Sequence, residues 1–479
     1  MQVVPVLVAF AHVAIFCGLG LRVVWRRRPV GVTIAWLGVI VLAPFLGAAC
    51  YFLFGESRLG NKTERRMKEL LPAYRAWLAT PREAKADWAG LPPEPKEIHE
   101  LGVRTVGIPA LCGNRLVLHG DSIEAFRSIV ADIDAARESV HMEFYIWEPG
   151  GAADEVAAAL LRAAKRGVSC RVLLDSIGSA DFLGSHVARE FRESSVRLVE
   201  ALPVSLARSF VVRADHRTHR KIIVIDCAIG YTGSLNIVDP REFKLSAGVG
   251  HWIDAMVRVE GPAVEGLAIA FLGDWELATD EGLEEMGRTV RMPPRVGGAN
   301  VQVVPSGPGF AQEAIHKLIL TAIYAARKEL VLTTPYFVPS DALLIALVSA
   351  AERGVDVTIV LPARNDSWLV HYASHATFED LLAAGVKLFA FEKGLLHTKS
   401  ITVDGHTSVF GSVNLDMRSF YLNFEISLFV YDRAFTGNLR ELQRGYVDGA
   451  RRIDAAEWSR RPLKVRLVEN VVRLAGPLL

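Results

Sequence analysis

Residues 106–290 and 291–450 are two versions of one unit, and this duplication constrains the fold more than any other feature. In the first, Arg137-Glu138-Ser139-Val140-His141-Met142-Glu143-Phe144-Tyr145-Ile146 reads as a helix end running into a buried strand that finishes in aromatics. In the second, Arg327-Lys328-Glu329-Leu330-Val331-Leu332-Thr333-Thr334-Pro335-Tyr336-Phe337-Val338 reads the same way. Next, Ala163-Ala164-Lys165-Arg166-Gly167-Val168 matches Ala350-Ala351-Glu352-Arg353-Gly354-Val355. Each closes a helix on a glycine and opens a strand. Strands alternating with helices imply an α/β architecture, a largely parallel sheet with helices on its faces. A duplicated unit implies two such sheets packed with pseudo-two-fold symmetry. Met292-Pro293-Pro294-Arg295-Val296-Gly297-Gly298 is the break between them.

Each lobe carries one complete copy of a short polar pattern. The first is His219-Arg220-Lys221, four residues, Asp226, six residues, Gly233-Ser234-Leu235-Asn236. The second is His397-Thr398-Lys399, four residues, Asp404, six residues, Gly411-Ser412-Val413-Asn414. The residues between lysine and aspartate are strand sequence, so His and Lys, two apart, point to one side. Ser and Asn, also two apart, follow a glycine that permits close backbone approach. Each copy thus brings an imidazole, an ammonium, a hydroxyl and an amide to one spot.

That set suits an anionic phosphodiester. Lys221 and Lys399 neutralise its oxygens, while Ser234, Asn236, Ser412 and Asn414 hydrogen-bond to them. One neutral imidazole attacks phosphorus and the other, protonated, serves the leaving alkoxide. The residues alone leave open whether His219 or His397 attacks. Lysine charge makes a metal or other cofactor unnecessary. Asp226 and Asp404 complete the catalytic pattern, but their place at the strand ends suggests that they tie strand to turn or partner a lysine rather than touch substrate. A nucleophilic histidine needs its second nitrogen held by an acceptor. Asp254 and Glu425, at similar distances beyond the two motifs, are the candidates for orienting the histidines.

The excess of apolar residues behind a mean hydropathy of +0.25 is concentrated at the start. Residues 3–21 and 30–54 contain no formally charged side chain. As single helices they span about 28 and 37 Å at ~1.5 Å per residue, against a hydrocarbon core of ~30 Å. Residues 1–55 therefore read as a two-helix transmembrane hairpin with Arg22, Arg26, Arg27, Arg28 and Pro29 in its turn. A cleaved signal peptide fits less well, because no basic residue precedes the apolar run. Basic residues also follow the second run (Arg58, Lys62, Arg65, Arg66, Lys68), so the positive-inside rule sets no orientation. Residues 56–105 read as a tether, proline-rich at Leu91-Pro92-Pro93-Glu94-Pro95. Residues 451–479 read as an amphipathic helix with Leu463, Leu467, Val468, Val471 and Leu474 on one face, suited to a membrane surface or to the domain.

Net charge is +1, which argues against a global nucleic-acid-binding field. The five cysteines, Cys17, Cys50, Cys112, Cys170 and Cys227, are scattered and read as small apolar residues rather than as a disulfide framework. His371, His375 and Glu379 have a spacing that binds zinc on a helix, but the full metalloprotease pattern is absent and a pocket-lining or solvated face fits better. His216, among Arg213, Arg217 and Arg220, reads as an entrance for anionic head groups or as a basic loop.

With these residues in view, the chain resembles the phospholipase D superfamily, whose lipid-acting members carry the motif twice. It is similar in particular to the bacterial cardiolipin synthase branch. The likeness runs through Tyr51-Phe52-Leu53-Phe54-Gly55, Glu143-Phe144-Tyr145-Ile146-Trp147, both motifs, Trp252-Ile253-Asp254, Gly261-Pro262-Ala263-Val264 and Asn414-Leu415-Asp416-Met417-Arg418-Ser419. Ile237-Val238-Asp239-Pro240-Arg241-Glu242-Phe243 departs from the glycine-richer stretch expected there. The resemblance implies two phospholipase D-like lobes at a bacterial inner membrane, with the lobes on the cytoplasmic side. It implies transfer of a phosphatidyl group from one phosphatidylglycerol to another, through a phosphohistidine on His219, with release of glycerol. The rival readings are a phospholipase D making phosphatidic acid and a non-catalytic membrane lipid-binding scaffold. A nuclease fits the charge and the hairpin poorly.

Overall fold

The computed structural model describes residues 3–26, 30–56, 61–79, 84–203, 213, 215–279, 281, 290–309 and 313–474. Arg27, Arg28, Pro29 and Arg58, assigned above to the basic flanks, lie outside the described residues, as do 475–479 of the C-terminal segment. The chain forms two compact units, Met1–Arg66 with Val204–His216, and Met67–Pro203 with Arg217–Leu479.

In the first unit, Val3–Trp25 is one helix. The second apolar run is not. It divides into Val30–Leu42 and Pro44–Phe54, a correction to the single helix expected over residues 30–54. Pro44 removes an N–H and disfavours helical backbone at the residue before it. Ala43 accordingly sits at φ −142° and ψ 74°. Gly47 then packs so closely that a Cβ would lie 2.7 Å from the Val39 carbonyl oxygen. Val23, Trp36, Ile40 and Tyr51 form the apolar cluster of this unit. Arg22 donates to both oxygens of Glu56 at 2.6 and 2.8 Å, and Tyr51 donates at 2.9 Å. The Arg22 hydrogen bond pulls the buried Glu56 carboxyl down to about 2. No helix among the described residues is long and apolar enough to cross a membrane.

Among the described residues, the second unit is built on one fifteen-stranded sheet. In spatial order its strands are Ala450–Arg452, Lys387–Phe391, Asp356–Pro362, Glu329–Thr333, Ser400–Val403, Thr407–Gly411, Glu425–Tyr431 and Ala299–Ser306, then Leu111–His119, Met256–Glu260, Ile229–Gly233, Ile222–Ile225, Ser139–Phe144, Ser169–Asp175 and Arg197–Ala201. The duplication shows in the order. Outward from the central pair Leu111–His119 and Ala299–Ser306, both halves place equivalent strands in the same sequence. The halves are therefore hydrogen-bonded into one sheet, not two separate ones. Leu111 faces Val301 and Asn114 faces Ala299, with a register shift between them. Asn114 holds that irregular seam by donating to the Leu111 and Ala299 carbonyls at 2.7 and 3.0 Å.

The sheet is mixed rather than largely parallel. Parallel pairing is confined to the outer strands of each half, such as Ser139–Phe144 with Ser169–Asp175 and Glu329–Thr333 with Asp356–Pro362. The motif strands form hairpins, Ile222–Ile225 with Ile229–Gly233 and Ser400–Val403 with Thr407–Gly411. A three-residue connection is far too short for the crossover that a parallel pair needs.

Helices Ser122–Ala135 and Gly151–Lys165 bury Phe126, Ile129, Val156 and Leu160 against Val140, Met142 and Phe144. Helices Ala314–Ala325 and Asp341–Glu352 do the same against Leu330, Leu332 and Ile359. A third core joins the halves, with Val257, Val259 and Phe271 from one packed among Val303, Ile426 and Leu428 of the other. The stretch read as a tether contains helix Pro93–Val106, whose Ile98 and Val106 enter the second lobe's core. Prolines in the first turn start a helix, because the N–H groups they lack have no intrahelical partner there. The sheet also extends past residue 450 through Ala450–Arg452, paired with Lys387–Phe391. All five cysteines are free.

Candidate active site

Each motif begins just before its strand, on a segment stitched to the other half. The His219 N–H donates to the Phe424 carbonyl at 2.8 Å, and the Phe424 N–H donates to the Arg217 carbonyl at 2.9 Å. In the second copy, Leu395–Leu396 pairs in parallel with Trp252–Ile253, and the His397 N–H donates to the Ile253 carbonyl at 2.8 Å. The residue after each contact, Glu425 or Asp254, is the carboxylate that meets the histidine.

The pairing is crossed. His219 Nδ1 lies 3.0 Å from Glu425 Oε2, and His397 Nδ1 lies 2.6 Å from Asp254 Oδ1. Each lobe orients the other's imidazole. A carboxylate accepts, so Nδ1 carries the hydrogen and Nε2 keeps the lone pair. All four side chains are buried. Burial drives His219 down to about 4 and His397 to about 3, against the opposing pull of their carboxylates. Burial alone would raise Glu425 and Asp254. Their histidines and the nearby lysines outweigh it and hold both below the usual range. Both imidazoles are thus neutral at neutral pH.

Lys221 and Lys399 enter the same field. Each ammonium bends back to its own motif's carbonyl, Lys221 to His219 at 2.7 Å and Lys399 to His397 at 2.6 Å. Burial lowers Lys221 to about 8 and Lys399 to about 7, partly offset by the surrounding carboxylates. Lys399 acts electrostatically on His219, and Lys221 on His397. The two copies therefore make one site. The Asn236 amide oxygen accepts the Ile146 N–H at 3.3 Å, which leaves its NH2 group to donate. Asn414 is buried beside the second histidine's motif.

The serines need correction, while the aspartates take the structural place that their strand-end position suggests. Ser234 and Ser412, expected on phosphate, serve the orienting carboxylates. Ser412 Oγ donates to Glu425 and accepts the Ile426 N–H at 2.9 Å. Ser234 Oγ accepts the Ala255 N–H at 3.1 Å and hydrogen-bonds Asp254. The hairpin sets each motif's glycine against the strand that starts at or just beyond that carboxylate, so the following serine meets the carboxylate. Asp226 and Asp404 lie at the far ends of their strands. Asp226 accepts the N–H groups of Arg137, Glu138 and Ser139 at 2.9, 2.7 and 2.8 Å. Asp404 does likewise for Arg327, Lys328 and Glu329 at 2.8, 2.7 and 2.9 Å. Both hold helix-to-strand junctions and touch no reacting group.

Several pocket residues escaped the pattern. Tyr145 and Tyr336, the aromatics just beyond strands Ser139–Phe144 and Glu329–Thr333, have rings 5.1 Å from His219 and 6.4 Å from His397. Trp252 lies 4.5 Å from the His397 ring. Arg220, between His219 and Lys221, donates to the Glu425 carbonyl at 3.0 Å and pairs with Asp274. Thr398, its counterpart, donates to the Ile253 carbonyl at 3.2 Å. The variable position of each motif thus clamps the opposite lobe's backbone. Behind His219, Thr218 donates to Glu143, whose complete burial raises its carboxyl well above the usual range. His216 is buried. His371 and His375 lie on helix Trp368–His375, with Glu379 on the next helix, bound to Arg466 at 2.9 Å. No cluster of three or more histidine, cysteine or acidic residues among the described residues fits a metal ion.

A family described as cardiolipin synthase, PLD-like domain, matches residues 129–255 and 319–444. A second, phospholipase D-nuclease N-terminal, matches residues 7–56. Cardiolipin synthase A of Pectobacterium atrosepticum is 44% identical over 480 residues, covering 100% of this chain and 99% of the relative. That of Klebsiella pneumoniae strain 342 is 45% identical with the same coverage. In fold, phosphatidylserine synthase of Haemophilus influenzae Rd KW20 superposes with a TM-score of 0.61 at 15% identity, over 79% of this chain and 99% of that one.

Proposed function

The chain belongs to the cardiolipin synthase family of phospholipase D-like proteins, and from that premise we propose that it makes cardiolipin from two phosphatidylglycerol molecules. The observation that carries the reading is the crossed pair of neutral, carboxylate-held imidazoles in one lysine-lined site. His219 Nε2 attacks phosphorus, and the bond from phosphorus to the glycerol oxygen breaks. A proton delivered by His397 lets glycerol leave. A hydroxyl of the second phosphatidylglycerol then gives its proton to His397 and attacks phosphorus, breaking the nitrogen–phosphorus bond. Burial keeps the imidazoles unprotonated in the free protein. The anionic phosphodiester raises their basicity on binding, which lets His397 carry the proton. Lys221, Lys399 and the amides of Asn236 and Asn414 stabilise the equatorial oxygens.

We assign residues 1–55 as the membrane anchor, on the strength of their apolar composition and the match at residues 7–56. With one helix broken at Pro44, the two-span topology remains a proposal, as does the cytoplasmic placement of the lobes.

The test is purified protein in micelles with phosphatidylglycerol as sole lipid. Glycerol release with a four-chain product is expected. Phosphatidic acid would indicate a hydrolase, and no product a binding scaffold. In the parent enzyme, quenched with base during turnover, the phosphatidyl group should be found on His219, and mass spectrometry finding it on no histidine overturns the covalent route.

A further inference from the structure

The C-terminal helix Leu463–Arg473 presents its apolar face outward. Val472 is buried with Val338 and Ala373. Glu469 is buried, paired with Arg461 and 3.7 Å from His375 Nδ1. Arg466 binds Glu379 at 2.9 Å, and Arg473 lies 3.6 Å from Asp341. These contacts seat one face of the helix on the second lobe. Along the other face Leu463 is 79% exposed, Leu467 63%, Val471 58% and Leu474 79%, with Val468 beside them. A continuous row of aliphatic side chains of this kind marks an interaction surface.

Charge selects the occupant. Residues 460–474 hold five basic side chains, Arg460, Arg461, Lys464, Arg466 and Arg473, against one acidic one, Glu469. That acid is buried against Arg461, while Arg460 and Lys464 face solvent. An exposed apolar stripe bordered by cations fits the boundary of an anionic bilayer. Position supports it. The helix packs against Trp368–His375 through the Val338, Ala373 and Val472 cluster, and Trp368 is itself 63% exposed, as an interfacial tryptophan requires. Two residues before Trp368, Asp366 accepts from the Tyr336 hydroxyl at 3.0 Å, and that tyrosine borders His397. The segment carrying Trp368 thus reaches the catalytic pocket through Asp366 and Tyr336.

We infer that Leu463–Arg473, with Trp368, docks the catalytic unit onto an anionic phospholipid bilayer and presents the pocket to lipid in that surface. The inference deepens the phosphatidyl-transfer reading and rests on it for its kinetic test. The full-length variant L467E/V471E changes exposed positions outside the pocket. On vesicles of phosphatidylcholine and phosphatidylglycerol it should lose activity by about tenfold or more. On a short-chain phosphatidylglycerol kept below its micelle concentration it should stay within about twofold of the parent. Equal rates on vesicles overturn the docking, and so does an equal loss on monomeric lipid, which would mean a damaged site. A binding measurement separates the two readings. Hydroxyl-radical footprinting of the parent in nanodiscs should show Leu467, Val468 and Val471 protected when phosphatidylglycerol is present and open when phosphatidylcholine stands alone. Equal oxidation in both overturns the docking, as does protection that follows protein concentration and so reports self-association. Footprint protection without turnover of either lipid would instead sink the transfer reading and leave the docking standing.

Discussion

At the scale of the residue, the chemistry depends on two correctly turned imidazoles, His219 neutral to attack and His397 carrying the proton that the leaving glycerol takes. His219→Ala and His397→Ala should each reduce turnover by about 10³-fold or more, because the two act as a unit and their effects do not add. Appreciable activity in either, measured as glycerol release, would contradict a two-histidine route. Glu425→Gln should cost about 10²-fold or more in kcat, since an amide holds the His219 tautomer poorly. The pH dependence follows from the lysines. Burial lowers Lys399 to about 7 and Lys221 to about 8, and a lysine is charged only below its pKa. The free enzyme therefore loses its phosphate-binding charge as pH rises through that range, while the histidines, lowered to about 3 and 4, stay neutral throughout. kcat/KM should fall on the alkaline side and kcat at higher pH, because a bound anion raises the lysines' affinity for protons. Lys399→Arg should move the alkaline limb upward, and an unmoved limb would assign it to another group.

At the scale of the element, the motif is a hairpin with a function at each end. Asp226 and Asp404 sit at φ 52° and 50°, left-handed backbone that aspartate and asparagine tolerate better than most residues. Asp226→Ala loses three charge-assisted bonds and adds strain, and should cost about 2 kcal/mol of stability with kcat of the folded protein unchanged. Thermal unfolding beside kcat would show it, and a selective loss of kcat would return the aspartate to the chemistry. The motif strands and the aromatic strand ends were legible from residue spacing; the hairpins, which make the sheet mixed, were not. The crossing of Glu425 and Asp254 was not legible either, because each carboxylate follows its own lobe's motif and a repeat by itself points to a partner within that lobe. Nor was the clamp by Arg220 and Thr398, whose difference in type hides a shared job on the opposite backbone. The serines misled because a hydroxyl near a phosphate site suits a carboxylate equally well.

At the scale of the whole molecule, duplication was legible but the single sheet was not. The seam depends on the local register around Asn114 rather than on any periodicity. The apolar start was equally plain, yet Pro44 divides what composition joins. Removing residues 1–55 should weaken membrane association and leave the lobes folded, read by sedimentation with vesicles and by circular dichroism. Undiminished binding would move the anchor to the catalytic unit.

The exchange of carboxylates between lobes has a consequence for dismantling the protein. Cut between Met292 and Gly298, each fragment would hold a histidine without its acceptor and an acceptor without its histidine. Neither piece would be half an enzyme. Activity would return only on their reunion, rising with the product of the two concentrations until every fragment had found its mate.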